Sequence, residues 1–283
     1  MDQHYKERFL RSIGIFTEGQ LEKMKNTKIA VGGLGLGGSI FINLVRMGFE
    51  NFHIADPDTF ERTNINRQRM AKETTIGMRK DECSLAEARA INPAVKIKVF
   101  PEGVKKANLD EFLKGVDWVV DVVDLFAMED KLALNVEAHK RGIPVASCAT
   151  LGFSGSVVVF NKNTPSFAEQ TGISDKLPYE ENLSRFLRFI CPEVPTYLWG
   201  QLIHAMDRSS YIPFVTPGGE TSAAVAASEI AKNVVGMGKT VHSPNGIFVD
   251  VAQVKTTIFE ASYKARALNI PENLKHADKP IVA

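Results

Sequence analysis

Residues 31–39 read "VGGLGLGGS". From Gly33 to Gly38 the spacing is G-x-G-x-x-G. The apolar run "TKIAV" precedes it, so residues 27–33 read as a buried strand, and "SIFINLVRMG" (39–48) follows, with Ile40, Phe41, Leu44 and Val45 at helical spacing and Gly48 to end the helix. A glycine loop between a strand and a helix lets the backbone approach a phosphate closely. Free N–H groups at the helix N-terminus then meet the phosphate charge. Gly33, Gly35 and Gly37 are the nucleotide-binding candidates of this loop.

Outward from the loop, the pattern is strand and helix in alternation. Strands are expected at 51–56, 95–100, 116–124 and 143–148, and helices at 77–92, where Pro93 stops the helix, and 127–141. This order argues for an α/β, Rossmann-like, doubly wound and mostly parallel sheet. "GSVVVF" (155–160) follows too closely for a crossover helix and is expected to turn the sheet antiparallel. Residues 161–220, rich in proline and aromatics with few clear periods, read as an excursion over the ligand-binding edge. Small residues at 221–236 suit a helix packed closely on the sheet, and 246–251 reads as a last strand. The whole chain is expected to form one domain, with a helical arm at 1–26 and a loose tail at 259–283.

Composition narrows the class. With 44% hydrophobic and 24% charged residues and a formal net charge of +1, the 283-residue chain has no bulk attraction to nucleic acid or an anionic membrane. Cys83, Cys148 and Cys191 lie far apart and form no C-x-x-C pair, so reduced thiols and a cytoplasmic address are expected and zinc is not. The charged start "MDQHYKERFLRSIG" lacks the apolar run of a secretion signal, and prolines and glycines interrupt the longest uncharged stretch, 142–161.

The second strand ends in Asp56, about twenty residues past the glycines, where a carboxylate accepts hydrogen bonds from ribose hydroxyls. That much suits a dinucleotide as well as a triphosphate. The difference lies in "ERTNINRQ" (61–68): Arg67 can bind phosphate oxygens bidentately and Asn64 can donate to them. Lys80 opens the next helix, and Asp124 stands at the end of the fourth strand, where open α/β sheets hold ligands and an oxygen ligand can hold Mg²⁺. Singly, these are also what a surface loop, a snorkelling lysine and a helix cap look like.

Together, the glycine loop, "DPDTFERTNINRQ", "IGMRKDE" and "DVVDLF" in this order resemble the ThiF/MoeB/HesA family, relatives of the ubiquitin-activating enzymes. The resemblance covers about 8–160 and returns at 215–250. It implies an ATP-dependent adenylyltransferase that activates the C-terminal carboxylate of a ubiquitin-like sulfur carrier or peptide as an acyl-AMP. Asp56 would hold the ribose, Asn64, Arg67 and Lys80 the phosphates, and Asp124 magnesium. Arg11 matches the family arginine that reaches into a partner subunit, which implies a homodimer. The chain departs from the family at Leu34, where glycine is usual, at Leu125, where asparagine is usual, and at Glu129, where the family has an arginine, with Lys131 two residues on. Some relatives pass the acyl group to a cysteine, a role for which Cys191 is the candidate. Two readings compete: a non-catalytic nucleotide-binding scaffold of the same family, and an NAD-dependent oxidoreductase resting on the glycine loop and Asp56 alone.

Overall fold

The computed structural model describes residues 3–206 and 211–268. Helices α1 (Gln3–Arg8) and α2 (Glu18–Asn26) form the N-terminal arm, and the alternating core follows: β1 (Lys28–Gly32), α3 (Leu36–Met47), β2 (Asn51–Ala55), α4 (Lys80–Ile91), β3 (Lys96–Phe100), α5 (Leu109–Phe112), β4 (Trp118–Asp121), α6 (Met128–Lys140), β5 (Val145–Leu151) and β6 (Ser154–Phe160). Beyond β6 come α7 (Phe167–Thr171), α8 (Tyr179–Ile190), α9 (Trp199–Met206), α10 (Thr216–Val235), β7 (Asn245–Asp250) and β8 (Lys255–Glu260).

The strands form one eight-stranded sheet in the order β3-β2-β1-β4-β5-β6-β7-β8. Its first five strands run parallel and the last three antiparallel, as the spacing at 155–160 required. Register places Phe100, Ala55, Gly32, Asp121 and Ser147 abreast, so β3, β2, β1 and β4 end on a common lip, past which β5 runs on to Leu151. Whatever follows each strand therefore projects over the same edge. The sheet order reverses between β1 and β4, the position at which such sheets bind ligands.

Helices cover both faces. Isoleucines, valines and phenylalanines of β1, β2 and β4 pack with α2, α3, α4 and α10 on one side, and the aromatic cluster of Phe160, Phe167, Phe186 and Phe189 sits with α5–α9 on the other. Alanines and Ser222 let α10 approach closely, and a Cβ at Gly155 would collide with the Ser222 backbone. The N-terminal arm is pinned by the buried Tyr5, whose hydroxyl donates to the carbonyls of Leu21 (3.0 Å) and Gly48 (2.8 Å).

Three sequence expectations need correction. The 161–220 excursion is helical over much of its length. Leu183, Phe186, Leu187 and Ile190 recur at i, i+3, i+4 and i+7 and bury one stripe of α8. Helix α10 starts at Thr216, ahead of the expected 221, because Pro217 lies in its first turn, where proline is tolerated. The tail expected to be loose from 259 instead begins inside β8, and Ala261 is fully buried. Tyr263 N donates to the Gln170 carbonyl (2.9 Å) and Arg266 to that of Arg188 (2.6 Å). Residues 269–283 lie outside the described part of the chain. Among the described residues no helix is long and apolar enough to cross a membrane.

Candidate active site

A cleft of about 1470 Å³ opens over the common lip of the parallel strands. Its floor is the glycine loop. Gly33 adopts φ +88°, and a Cβ there would stand 2.6 Å from the Val122 carbonyl oxygen, so the loop and the end of β4 touch backbone to backbone. Gly33 N donates to the Ala55 carbonyl at 2.8 Å, tying the loop to β2. Gly35 lines the cleft at the start of α3. Gly37 is buried, and a Cβ would come within 2.7 Å of Val122 Cγ2 and 3.0 Å of Val31 Cγ1. It serves helix-to-sheet packing, outside the cleft wall.

Asp56 follows β2 into this floor and is 4% exposed. Its Oδ2 accepts from Leu34 N at 2.5 Å and its Oδ1 from Asp58 N at 2.9 Å, so the acid braces the loop that it faces. Desolvation raises its pKa above the ordinary carboxylate value, opposed by the positive Lys80 and by the two backbone donors. Lys80 lines the same wall, also nearly buried, with Nζ 2.9 Å from Asp58 Oδ2.

Arg67 reaches the wall from the other side of the loop. Its Nη1 donates to the Thr63 carbonyl (2.8 Å) and to Asn66 Oδ1 (3.0 Å), and its guanidinium lies 5.3 Å from the Phe214 ring centroid. Burial pulls its pKa down, with Glu61 opposing. The loop is held over the cleft by Asn66, whose Nδ2 donates to the Phe214 carbonyl (2.9 Å), and by the Arg69–Glu220 ion pair. Asn64, expected among the phosphate ligands, is not in the cleft wall. It is buried in the 3-10 turn Arg62–Asn64, and its Oδ1 accepts from Glu61 N at 3.1 Å. Asn66, Gln68 and Asp58 stand in the wall instead.

Asp124 is exposed on the cleft wall beyond β4. It caps the 3-10 turn Leu125–Ala127 by accepting from Phe126 N at 3.0 Å through Oδ1. One carboxylate oxygen is thus engaged while the residue faces the cleft, a donor set suited to a Mg²⁺ ion that keeps most of its waters and arrives with phosphate. Among the described residues no group of three His, Cys, Asp or Glu could form an all-protein metal cage. Behind Asp124 sits a buried polar cluster that no motif marks. Lys131 Nζ lies 2.9 Å from each oxygen of Asp121 and 2.9 Å from the Val123 carbonyl, and Asn135 Nδ2 donates to Asp121 Oδ2 at 2.8 Å. The departure at Glu129 has a plain outcome: it is exposed and pairs with Lys106, and Lys131 supplies the cation at the end of β4.

Two other candidates fall outside this assembly. Arg11 is exposed on the 3-10 turn Leu10–Ser12 of the arm, away from the cleft wall of its own chain. Cys191 is 3% exposed, absent from the wall, and donates its thiol to the Glu193 carbonyl at 2.8 Å. Burial pushes its pKa up to about 12. A nucleophilic thiol needs access and a stabilised thiolate, and Cys191 has neither. Cys148 does line the cleft, but burial raises its pKa as well.

A doubly wound sheet with a glycine loop at its switch point, under a cleft lined by Asp56, Arg67, Lys80 and Asp124, defines a Rossmann-like α/β domain. The ThiF family model matches residues 8–267, and the chain belongs to the ThiF family. The curated relatives include an adenylyltransferase and sulfurtransferase MOCS3 of Arabidopsis thaliana, 30% identical over 167 residues, covering 57% of this chain and 35% of the relative. A SAMP-activating enzyme E1 of Haloferax volcanii is 28% identical over 167 residues, covering 59% of this chain and 60% of the relative. The chain thus spans about a third and three fifths of those two proteins. Among solved structures, E. coli MccB with MccA-N7isoASN superposes with TM-score 0.70 at 16% identity, and PaaA with TM-score 0.69 at 18% identity. Each covers 93% of this chain, by 72% of the MccB chain and 75% of the PaaA chain, which shows the shared fold.

Proposed function

We propose that this protein is an ATP-dependent adenylyltransferase that activates the C-terminal carboxylate of a small carrier protein or peptide as an acyl-AMP, releasing pyrophosphate. The observation that carries the reading is the meeting of Asp56, Arg67, Lys80 and Asp124 in one cleft over the glycine loop. Relatives named as adenylyltransferases, one of them a sulfur carrier protein adenylyltransferase from Thermus thermophilus, support it.

A carboxylate is a poor acyl donor because oxide would have to leave; an acyl-AMP loses AMP instead. An acceptor oxygen attacks the α-phosphorus of ATP in line, and the bond to pyrophosphate breaks. Little covalent work is left to the protein beyond positioning and charge stabilisation. Asp56 takes the ribose hydroxyls, Arg67 and Lys80 face the phosphate oxygens, and Asn66 and Gln68 line the same stretch. Asp124 would hold magnesium, whose contribution is neutralisation of phosphate charge. Arg11, outside its own cleft, serves that of a second copy, which makes the working unit a homodimer. The three free thiols suit a reducing, cytoplasmic setting.

A dinucleotide reading rests on the glycine loop and Asp56 alone. A non-catalytic scaffold would bind ATP without turnover. The test is pyrophosphate exchange into ATP with candidate acceptors: acceptor-dependent exchange that is lost in Asp124→Ala is expected, and ATP binding without exchange by any acceptor would reject the catalytic reading.

A further inference from the structure

The cleft wall changes character along its length. From the glycine loop to α6 it carries Asp56, Asp58, Arg62, Arg67, Lys80, Lys105, Asp124 and Lys131. After Lys131, among the described residues, no charged side chain lines it. That second half is built from the end of β5 (Cys148–Leu151) and the buried stripe of α8, while Phe214 lies against Arg67 in the charged half. Phe126 and Tyr179, stacked with ring centroids 5.2 Å apart and planes within 3°, both flank the join between the halves, and Phe126 is 70% exposed.

The two halves call for two ligands. At about 1470 Å³ the cleft exceeds the roughly 300–1,000 Å³ typical of a site for one small molecule. The charged half, over β1, β2 and β4, matches a triphosphate. Lys131 lies 5.5 Å from the Phe186 ring on α8, so the β5–α8 wall adjoins the charged half, within reach of the side chain next to a carboxylate that reacts beside Asp124. A charged side chain entering that half would lose its water against Leu183, Leu187 and Ile190, and the adjoining cation of the wall, Lys131, is already paired with Asp121. A glycine would leave the volume empty and gain nothing from the apolar walls. Branched or aromatic carbon is the chemistry that these walls recognise.

Resting on the adenylation reading above, we infer that the acceptor ends in an apolar residue, of leucine to phenylalanine size, whose side chain occupies the pocket between β5 and α8. The pocket makes this ThiF-family protein selective at the residue whose carboxylate it activates. Selection rests on Ala149, Leu183, Phe186, Leu187 and Ile190. Ala149, on β5 and only partly buried, controls the depth of the pocket from the strand side.

The experiment measures pyrophosphate exchange by the full chain with tetrapeptide mixtures, randomised at three positions and ending in Gly, Ala, Leu, Phe, Asp or Lys. Mixtures ending in Leu or Phe are expected to support exchange about tenfold or more above the Gly mixture, in the range that a few buried methylenes confer, and Asp and Lys mixtures are expected to be poorest. Ala149→Val, a β-branched residue suited to a strand, narrows the pocket and is expected to lower the Leu-to-Ala ratio about fivefold. Exchange that is best with Gly, or an unchanged ratio in Ala149→Val, overturns the inference while leaving adenylation standing. ATP binding with no exchange by any mixture overturns both.

Discussion

Replacement of Lys131 by methionine tests how the end of β4 is held. The lysine is 2% exposed and its partner Asp121 fully buried, and the ammonium also satisfies the Val123 carbonyl. Methionine fills a similar volume but leaves Asp121 buried with, among the described residues, Asn135 Nδ2 (2.8 Å) and Val123 N (3.1 Å) as its remaining donors. Breaking one side of such a pair costs about 3–5 kcal/mol. At about 2–4 °C per kcal/mol for chains approaching this size, the midpoint of thermal unfolding should fall roughly 6–20 °C. The double variant Asp121→Leu/Lys131→Met removes both charges. Replacing a buried pair by apolar groups is often close to neutral, so most of the lost stability should return. Differential scanning calorimetry on the three proteins reads both effects. A single variant that melts within about 2 °C of the parent, or a double variant no more stable than the single, would refute the assignment of a buried, mutually dependent pair.

Gly33→Ala places a side chain at φ +88° and 2.6 Å from the Val122 carbonyl, so the loop must shift, and isothermal titration should show ATP affinity reduced about tenfold or more. Burial raises the pKa of Asp56, so acidification removes its acceptor oxygens at higher pH than for an ordinary carboxylate. ATP binding should therefore weaken as pH falls towards that raised value. The stability contribution of Asp56 moves the other way and improves as pH falls, because the folded state holds the proton more tightly. An ATP affinity that stays flat as the pH falls through the ordinary carboxylate range would contradict this account of Asp56. Cys191→Ala should retain pyrophosphate exchange within about twofold. With its pKa near 12 the thiolate fraction at pH 8 is on the order of one in ten thousand, so iodoacetamide should leave Cys191 unmodified in the folded protein by mass spectrometry.

The parallel half of the fold is legible because buried strands and amphipathic helices repeat at fixed periods, and the glycine loop marks the switch point. Asp56, Lys80 and Asp124 could be placed because each sits at the end of a regular element. Asn64 could not, since a 3-10 turn has no long-range periodicity to tell an inward asparagine from an outward one, and Asn66 is the residue in the wall. Strand β8 escaped because its hairpin turn lacks glycine and asparagine; Asp250 Oδ1 accepts from Ala252 N and Gln253 N and builds the turn instead. Helix α8 carries a readable stripe at 183, 186, 187 and 190, masked by the prolines and aromatics around it. The burial of Cys191 and the capture of Asp121 by Lys131 are tertiary facts that no spacing announces.

The central claim, that this cleft joins a carboxylate to the α-phosphate of ATP, is tested most directly by oxygen transfer. An acceptor peptide carrying ¹⁸O in its terminal carboxylate is incubated with the protein, ATP and Mg²⁺, hydroxylamine traps the activated acyl group, and the AMP is examined by mass spectrometry. Adenylation requires AMP bearing one labelled oxygen, accompanied by pyrophosphate and an acyl hydroxamate. Unlabelled AMP, or ADP with inorganic phosphate in its place, would contradict the account.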